Sequence, residues 1–470
     1  MSKPVFQLLT EEQKNALAQA AFDILEQTGV RITEPEGRAL LIKAGARLDG
    51  RLTFIPHRLV QEALRSAQRE IHLYHRDGRE AIQLGGHKAY YGAHSDAPDI
   101  LDPLSGARRP CLEADVRQNA ALIESLPRID FLTASGLVAD RPAEIADRVS
   151  FANCLIYARK PILAMPLTQA SLSEMHAMAA LASGGSEALK ARPTIVIYAE
   201  PVSPLVHPDE SIRKLLYCAD HHLPVAYIPF AAQGASAPQS LWATVAQLSA
   251  ESLSGLVIHQ LKQPGAPFIF GGMASVMDMH STVFSYGAPE FEVGNTMLAE
   301  MAHHFGLANF GTAGTSDAQC LDGQTFIEVF SSLMLAHLSG AQLVHDIGLL
   351  GSATLVSPEM IVASDEILGM LAHMFSEETP GNKTFSTDLF NEAHVRGEFL
   401  SKDYTLEHFR EIWYPRLFYR RGAKHWQNGI SFTFEQRLKA RTQEIIRTGQ
   451  PEALDRDVVQ AIWNIITPEP

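Results

Sequence analysis

The chain has 470 residues, of which 46% are hydrophobic and 20% charged, and its formal net charge is -14 at pH 7. These proportions are typical of a folded globular protein, and the length allows two or three domains or one large α/β barrel. The acidic excess argues against a nucleic-acid partner, because affinity for a phosphate backbone comes largely from clustered lysine and arginine.

Three other classes are also disfavoured. No segment offers about 18 uninterrupted apolar residues, so no membrane span is predicted. The N-terminal run MSKPVFQLLTEEQK lacks a basic region followed by an apolar stretch, which argues against secretion and favours the cytoplasm. Four cysteines lie far apart without a CxxC pair, so we expect free thiols rather than disulfides or a zinc knot.

The first predicted element is an N-terminal helix. Thr10 and Gln13 have the spacing of a capping box, and an apolar face then continues to Gly29. Short strand-like and helical pieces alternate over residues 30 to 88 and carry no obvious chemistry. We therefore predict that residues 1–89 form a helical or mixed cap packed on the rest of the fold.

From Tyr90 onward, short apolar runs return eight times, separated by helical patterns. The runs are YYGAHSD at 90, FLTASG at 131, PILAMP at 161, TIVIYAE at 194, VAYIPFAAQG at 225, FIFGGM at 268, ANFGTAG at 308 and LVHDIG at 343. Eight alternations of strand and helix predict a TIM (β/α)8 barrel over residues 90–376. Residues 377–470 are charged and mostly helical in pattern, which predicts a C-terminal helical extension that wraps the barrel.

The active site of such a barrel lies at the C-terminal ends of its strands. The residues expected there are Tyr90, Tyr91, His94, Ser95 and Asp96 after the first strand, Glu200 and Ser203 after the fourth, Phe230 and Gln233 after the fifth, Met273 after the sixth, Thr315 and Asp317 after the seventh, and His345 and Asp346 after the eighth.

Aromatic residues are prominent in this set. The faces of Tyr90 or Tyr91, of Phe230 and of Phe284 or Tyr286 would attract a quaternary ammonium at one mouth of the barrel. Ordinary packing is the alternative for every one of them.

Metal ligands are sparse in the sequence, which contains neither His-x-His nor HExxH. His345 and Asp346 are neighbours on a strand, so alternation is expected to send their side chains to opposite faces. From the residues alone, His345 is either a core histidine or a site residue. Asp317 either caps a turn or serves the site.

Several runs, taken jointly and in order, resemble the trimethylamine:corrinoid methyltransferase superfamily over nearly the whole chain. They are GAHSDAPDILD at 92, PVSPL at 201, GASAP at 234, GAPE at 287, GTSDAQCLDGQ at 314, and LSGAQLVHDIGLLGS at 338 followed by SPEMIVASDEI. That family is a TIM barrel that gives a methyl group from a methylamine or betaine to the cobalt of a corrinoid on a partner protein. Its founding members use pyrrolysine. This chain has no such residue and resembles the branch that acts on glycine betaine and related quaternary amines.

The resemblance implies site roles. It places a functional histidine, His345, in the motif of the eighth strand, and we expect this residue near the cobalt or the transferred methyl group. We also expect Asp317 and Gln324 to orient polar groups beneath it. From the aromatic residues at the predicted mouth, we expect Tyr91 and Phe230, with Tyr90, to form the cation cage. A betaine carboxylate would take donors from His94, Ser95, Gln233 or backbone N–H groups.

The resemblance also implies a cofactor and partners. The corrinoid (cobalamin) is expected on a partner corrinoid protein, since the chain lacks the DxHxxG signature of many corrinoid modules. We expect no tightly bound metal. We also expect the protein to form a homo-oligomer. Two alternatives stay open: a TIM-barrel hydrolase or lyase that acts on a small acid through His345 and Asp317, and a non-catalytic protein that binds quaternary amines.

Overall fold

This computed structural model describes residues 6–376, 387–424, 432–449 and 454–467.

The N-terminal region begins with the predicted capped helix. Thr10 Oγ1 accepts from Gln13 N at 3.2 Å and Gln13 Oε1 accepts from Thr10 N at 2.9 Å, which confirms the capping box. The elements are α1 (Glu11–Asp23), a π-helical turn (Ile24–Thr28), β1 (Val30–Ile32), α2 (Pro35–Ala44), β2 (Arg47–Asp49), β3 (Leu52–Phe54), α3 (His57–Ser66), β4 (Ile71–Tyr74) and β5 (Glu80–Leu84).

Strands and helices alternate from residue 90 onward. The strands are β6 (Tyr90–His94), β7 (Asp99–Leu101), β8 (Arg108–Pro110), β9 (Phe131–Ala134), β10 (Ile162–Ala164), β11 (Ile195–Ala199), β12 (Val206–His207), β13 (Val225–Tyr227), β14 (Phe230–Gln233), β15 (Phe268–Phe270), β16 (Met273–Met277), β17 (Phe284–Ser285), β18 (Ala308–Thr312), β19 (Leu343–Ile347), β20 (Leu349–Leu350) and β21 (Leu355–Val356).

The helices after residue 90 are α4 (Glu113–Glu124), α5 (Ala143–Tyr157), α6 (Gln169–Ala182), α7 (Ser186–Ala191), α8 (Asp209–His221), α9 (Leu241–Lys262), α10 (Pro289–Phe305), α11 (Gly323–Ser339), α12 (Pro358–Met374), α13 (Thr387–Arg396), α14 (Asp403–His408), α15 (Phe434–Thr448) and α16 (Arg456–Ile466). Proline occupies the first position of α10 and α12, and glycine directly follows α10 and α11, which are the positions that these residues favour at helix ends.

Eight parallel strands close into a barrel in the order β10, β11, β13, β15, β18, β19, β6, β9. They are the eight predicted runs, so the TIM-barrel prediction is confirmed. Alternation along each strand sends one set of side chains into the barrel and the other against the surrounding helices. The β4–β5 hairpin adds Ile71, Leu73, Ile82 and Leu84 to the cluster inside the barrel.

Short strands extend the barrel at the ends where its main strands stop. β14, β16 and β17 form a three-stranded sheet beyond β13 and β15, and β7, β8, β20 and β21 form another beyond β6 and β19. These two sheets surround the C-terminal mouth, where the site is expected.

Helix α9 is largely buried. Leu241–Lys262 is long and apolar enough to cross a membrane, but 83% of its most apolar window is buried within the protein. It packs against α1, α2, α3, α8 and α10. It is therefore a core helix by its contacts.

The C-terminal helices lie on the outside of the barrel. α15 packs on α4 and α12, and α16 packs on α5 and α6. The division at residues 89 and 376 stays a prediction. The four cysteines are free thiols, as expected, with Cys320 exposed and Cys111, Cys154 and Cys218 buried.

Gly92 is required by close packing inside the barrel. A Cβ atom there would lie 2.1 Å from Cε2 of Phe131, a ring that is 1% exposed. We expect Gly92→Ala to lower the free energy of unfolding by about 1 to 3 kcal/mol, because overpacking forces the ring or backbone to move. Urea denaturation measures the change. Gly86→Ala is the matched control, since a Cβ at Gly86 would meet no heavy atom within 4 Å. Equal stability of the two variants would contradict the packing argument.

Candidate active site

A cavity of about 490 Å³ lies at the C-terminal mouth of the barrel. Its lining residues lie at or beyond the ends of the barrel strands: His94, Asp96, Ala97, Ser135, Leu137, Met165, Pro166, Leu167, Tyr198, Glu200, Val202, Pro208, Glu210, Ser211, Lys214, Met273, Tyr286, His345, Asp346, Leu349 and Ala353. A larger groove of about 820 Å³ lies outside the barrel between α4, α5, α15 and α16, and its described lining holds no carboxylate. Of these two cavities, the one at the mouth is the one lined by histidines and carboxylates.

Three buried side chains meet in this cavity. His94 Nε2 donates to Asp346 Oδ1 at 2.8 Å, and His345 Nε2 lies 3.1 Å from the same oxygen. On its other side, Nδ1 of His94 is 3.0 Å from Ser135 Oγ, and Nδ1 of His345 is 3.4 Å from Thr312 Oγ1. His94 is thus held by hydrogen bonds at both nitrogens, and His345 by hydrogen bonds at Nδ1 with the Asp346 carboxylate close to its Nε2.

The inward position of Asp346 depends on a backbone irregularity. The pairing between β19 and β6 shifts register between Val344 and Ile347, and Asp346 has φ +79°. This left-handed residue breaks the alternation, so Asp346 and His345 both face the cavity. The prediction that their side chains point to opposite faces is therefore wrong. A positive φ is uncommon for a residue other than glycine, and such strain concentrates at functional sites.

Burial and mutual charge determine the ionisation of His345 and Asp346. Burial lowers the pKa of His345 to about 4, although Asp346 opposes the shift. Burial also raises the pKa of Asp346, but His345 and His94 more than offset this, so its pKa lies below the ordinary value. At neutral pH the site therefore holds the carboxylate of Asp346 beside the neutral imidazole of His345.

The same three side chains could hold a metal ion. One ligand atom from each of His94, His345 and Asp346 lies within 4.8 Å of the others. Two imidazoles and a carboxylate are a donor set used by divalent transition metals. The fold thus assembles a possible ligand set from residues that carry no recognisable spacing in the sequence.

Aromatic rings form the floor beside this cluster. The Tyr198 ring lies 6.4 Å from the His345 ring, nearly parallel to it, and the Phe310 ring lies 4.3 Å from it. Tyr198 OH donates to Glu200 Oε2 at 3.1 Å. Tyr286 completes the aromatic lining on the side of β17. Of the predicted aromatic candidates, the structure brings only Tyr286 to the cavity.

Tyr91 and Tyr90 lie elsewhere. Tyr91 is on the outward face of β6, where its hydroxyl pairs with Nδ1 of His337 at 3.0 Å. Tyr90 faces inward, but at the first residue of β6, at the opposite end of the barrel, with Lys88 Nζ 4.6 Å from its ring centroid. Tyr91 is outside the cavity because it lies on the outward face of β6, and Tyr90 because it lies at the start of that strand. The expectation that these two residues line the mouth is therefore wrong.

The predicted candidates on β14 are also outside the lining. Phe230 packs edge-on against Phe284 at 4.9 Å, and Phe284 lies 5.8 Å from Tyr286, so Phe230 is two rings behind the cavity wall. Gln233 is buried and donates to Ser275 O. Both belong to the small sheet over the mouth, because the chain leaves the barrel at Pro229.

Ser95 and Asp96 organise the loop after β9. Ser95 Oγ donates to Thr133 O and is fully buried, which makes it unavailable to a substrate carboxylate. Asp96 accepts from the backbone N–H groups of Ser135 at 3.0 Å and Leu137 at 2.7 Å. This arrangement holds Ser135 against His94.

Asp317 does not line the cavity but holds Tyr286, which does. Its carboxylate accepts from Tyr286 N at 2.9 Å, Gly287 N at 3.0 Å, Ser352 Oγ at 2.8 Å and Ser285 Oγ. The structure thus places Asp317 behind the cavity wall, in contact with the segment that carries Tyr286, and not in the cavity where it was expected. Gln324 is exposed at the start of α11 and donates to Glu328 Oε1, away from the cavity.

We expect Asp317→Asn to raise KM for the substrate by about 10-fold, because an amide can accept only on one atom and would leave backbone donors near Tyr286 unpaired. Steady-state kinetics measure KM and kcat separately. In the Tyr286→Ala background the same substitution should have little further effect. Additive effects of the two substitutions would show that Asp317 acts independently of Tyr286.

Sequence reasoning missed Tyr198 and Lys214. Alternation along β11 could have identified Tyr198, since Val196 and Tyr198 share the face opposite to Ile195 and Ile197. Lys214 carries no such signal, because it reaches the cavity from the second turn of a helix.

Comparison with known proteins gives a consistent result. A family model described as trimethylamine methyltransferase (MTTB) matches residues 1–468. The chain is 26% identical over 461 residues to a glycine betaine methyltransferase of Desulfitobacterium hafniense strain Y51, with 97% of this chain and 95% of the relative covered. It is 24% identical over 463 residues to a trimethylamine methyltransferase MttB of Desulfitobacterium hafniense strain DSM 10664 / DCB-2, with 97% and 92% covered.

A solved structure shares the fold. The monomethylamine methyltransferase MtmB of Methanosarcina barkeri matches with a TM-score of 0.53 at 10% identity, with 95% of this chain and 90% of that chain covered. At this identity the likeness supports the barrel architecture alone.

Proposed function

The chain belongs to the trimethylamine methyltransferase family, and we propose that it moves a methyl group from glycine betaine or a related quaternary amine to the Co(I) corrinoid of a partner protein. The two Desulfitobacterium relatives are methyltransferases of a quaternary and a tertiary amine. The chain reads through its length without pyrrolysine. This favours the quaternary substrate over trimethylamine.

The observation that carries the proposal is the composition of the cavity. Its lining combines Tyr198 and Tyr286 with the carboxylates of Asp96, Glu200, Glu210 and Asp346. A quaternary ammonium has no N–H to donate, so it is bound by aromatic faces and by the field of nearby carboxylates. Both are present within one cavity of suitable size for a small molecule.

The chemistry requires little acid or base catalysis. Co(I) of the partner supplies a strong nucleophile, and the leaving group is a neutral tertiary amine that needs no proton in the transition state. The residues of this chain therefore act by positioning and by electrostatics. We assign His345 to the reacting end of the substrate, where its neutral ring packs beside Tyr198.

The histidines moderate the charge of Asp346. The positive charge on nitrogen decreases as the methyl group leaves, so a bare carboxylate beside it would stabilise the substrate more than the transition state. A hydrogen bond from His94 and the close approach of His345 Nε2 both fall on one oxygen of Asp346. We propose that these two histidines hold the Asp346 carboxylate in place and weaken its electrostatic attraction to the substrate cation.

The corrinoid is a substrate of the reaction delivered by the partner, and no residue of this chain is assigned to hold it. We expect the enzyme in the cytoplasm and as a homo-oligomer. These two expectations rest on the sequence.

A substrate panel tests the proposal. Purified protein is incubated with cob(I)alamin, or with a candidate corrinoid protein reduced to Co(I), and with glycine betaine, proline betaine, carnitine, γ-butyrobetaine, choline and trimethylamine. The absorbance change to methylcob(III)alamin reports transfer. Transfer from at least one quaternary amine is expected. Binding of a quaternary amine without transfer would favour a non-catalytic binding protein, and a stoichiometric divalent metal with hydrolysis of a small acid would favour the hydrolase alternative.

A further inference from the structure

A second set of charged residues, Glu200 and Lys214, lies across the cavity from His345. In the ring of eight strands, β11 is four places from β19, so the groups that come after β11 stand across the barrel from the His345 cluster. Glu200 is the residue directly after β11, and Lys214 reaches the cavity from α8, the helix after β11. The barrel thus separates two sets of charged groups within one cavity.

Lys214 is the one lysine or arginine among the described residues that line this cavity. The residue is 8% exposed, and its ammonium donates to Pro166 O at 3.0 Å. An ammonium carries three donor hydrogens, so one carbonyl does not satisfy it. Within the described part of the chain, no carboxylate oxygen forms an ion pair with Lys214. An almost fully buried ammonium in this state has a strong demand for an anionic partner.

The neighbouring carboxylates, Glu200 and Glu210, form no ion pair with the Lys214 ammonium. Glu210 is occupied by Gln169 N and Arg213. Glu200 is engaged by the Tyr198 hydroxyl, and burial raises its pKa. Burial lowers the pKa of Lys214, while Glu200 and Glu210 oppose that shift and favour the charged ammonium. These carboxylates oppose the effect of burial without forming an ion pair with Lys214, and its remaining N–H groups are available to a ligand.

We propose that Lys214 binds the carboxylate of a zwitterionic substrate and so restricts the enzyme to betaines. The inference rests on the proposed function, because it concerns the end of the substrate that is not transferred. With the quaternary head between Tyr198, Tyr286 and Asp346, the carboxylate points across the cavity to Lys214. A quaternary amine without a carboxylate, such as choline, leaves the buried ammonium unpaired.

Binding measurements on variants test this role. Calorimetry gives Kd for glycine betaine, γ-butyrobetaine and choline with the wild type, Lys214→Met and Lys214→Arg. We expect Lys214→Met to weaken binding of the preferred betaine by about 10- to 100-fold, the range for loss of a charged hydrogen bond, and to leave choline within about 2-fold. Lys214→Arg should restore part of the loss. Lys190→Met, the same change at an exposed lysine of α7, is the matched control and should bind as the wild type does.

A second experiment changes the ligand and not the protein, so a folding defect in a variant cannot explain its result. The methyl ester of the preferred betaine keeps the quaternary head and removes the charge, and it should bind the wild type about 10- to 100-fold more weakly than the free acid. The inference is overturned if Lys214→Met weakens betaine and choline equally or weakens neither, if the ester binds as tightly as the acid, or if no betaine binds the wild type. Absence of methyl transfer from every amine, with the charge-dependent binding intact, would instead overturn the proposed function and leave Lys214 as a carboxylate receptor.

Discussion

Replacing His345 with alanine is expected to lower kcat/KM for methyl transfer by about 100-fold, the scale on which enzymes lose activity when a preorganised group at the reacting centre is removed. The imidazole is 2% exposed, contacts Asp346 at 3.1 Å and packs on Phe310 and Tyr198. Its loss exposes a buried carboxylate to the substrate and opens space where the reacting end is held. Initial rates of methylcob(III)alamin formation from cob(I)alamin and the preferred betaine measure the effect.

The kinetic form of the loss is informative. If His345 acts mainly in the transition state, kcat falls while the calorimetric Kd of the betaine changes little. His176→Ala is the control, because His176 lies on α6 with its ring against Tyr217 and outside the cavity lining. Wild-type turnover by a folded His345→Ala protein would remove His345 from the mechanism.

Replacing Tyr198 or Tyr286 with alanine should weaken binding of a quaternary amine by up to about 30-fold each, because a desolvated cation–π contact is worth about 2 kcal/mol. The neutral tertiary amine product has no full positive charge when deprotonated and should lose much less affinity. Calorimetric Kd values for glycine betaine and for dimethylglycine at a pH above the pKa of its amine provide the comparison.

Tyr198→Phe separates the two functions of that residue. It keeps the ring and removes the hydrogen bond to Glu200, so cation binding should stay close to that of the wild type. Tyr91→Phe is the control outside the cavity, where only the contact with His337 is lost. Equal loss of affinity for the cation and the neutral amine in Tyr198→Ala would identify a packing defect in place of a cage.

Much of the fold was determined by local sequence. The eight apolar runs, the capping box at Thr10, and the proline and glycine residues at helix ends each act over a few residues, so they can be recognised without knowledge of the fold. Closure of the barrel is then expected, because eight buried parallel strands with intervening helices have few other ways to bury both faces. Of the polar strand-end residues expected at the mouth, the structure brings His94, His345 and Asp346 into contact.

The composition of the site was decided by tertiary structure. Strand alternation alone assigns Asp346 to the wrong face, since a register shift against β6 is a property of two paired strands and is invisible in either one. Tyr90 and Tyr91 are adjacent to the motif that holds His94, yet the height of a residue along its strand and the face it occupies place both rings outside the cavity.

Lys214 illustrates the same limit most clearly. It comes to the cavity because α8 packs beside β11 and brings its second turn over the loop that contains Pro166, 48 residues earlier in the chain. The sequence determined by itself the barrel and the histidine-bearing strand, because those depend on local periodicity. Which charged groups share the cavity depended on barrel register and helix packing, which join residues that are distant in the chain.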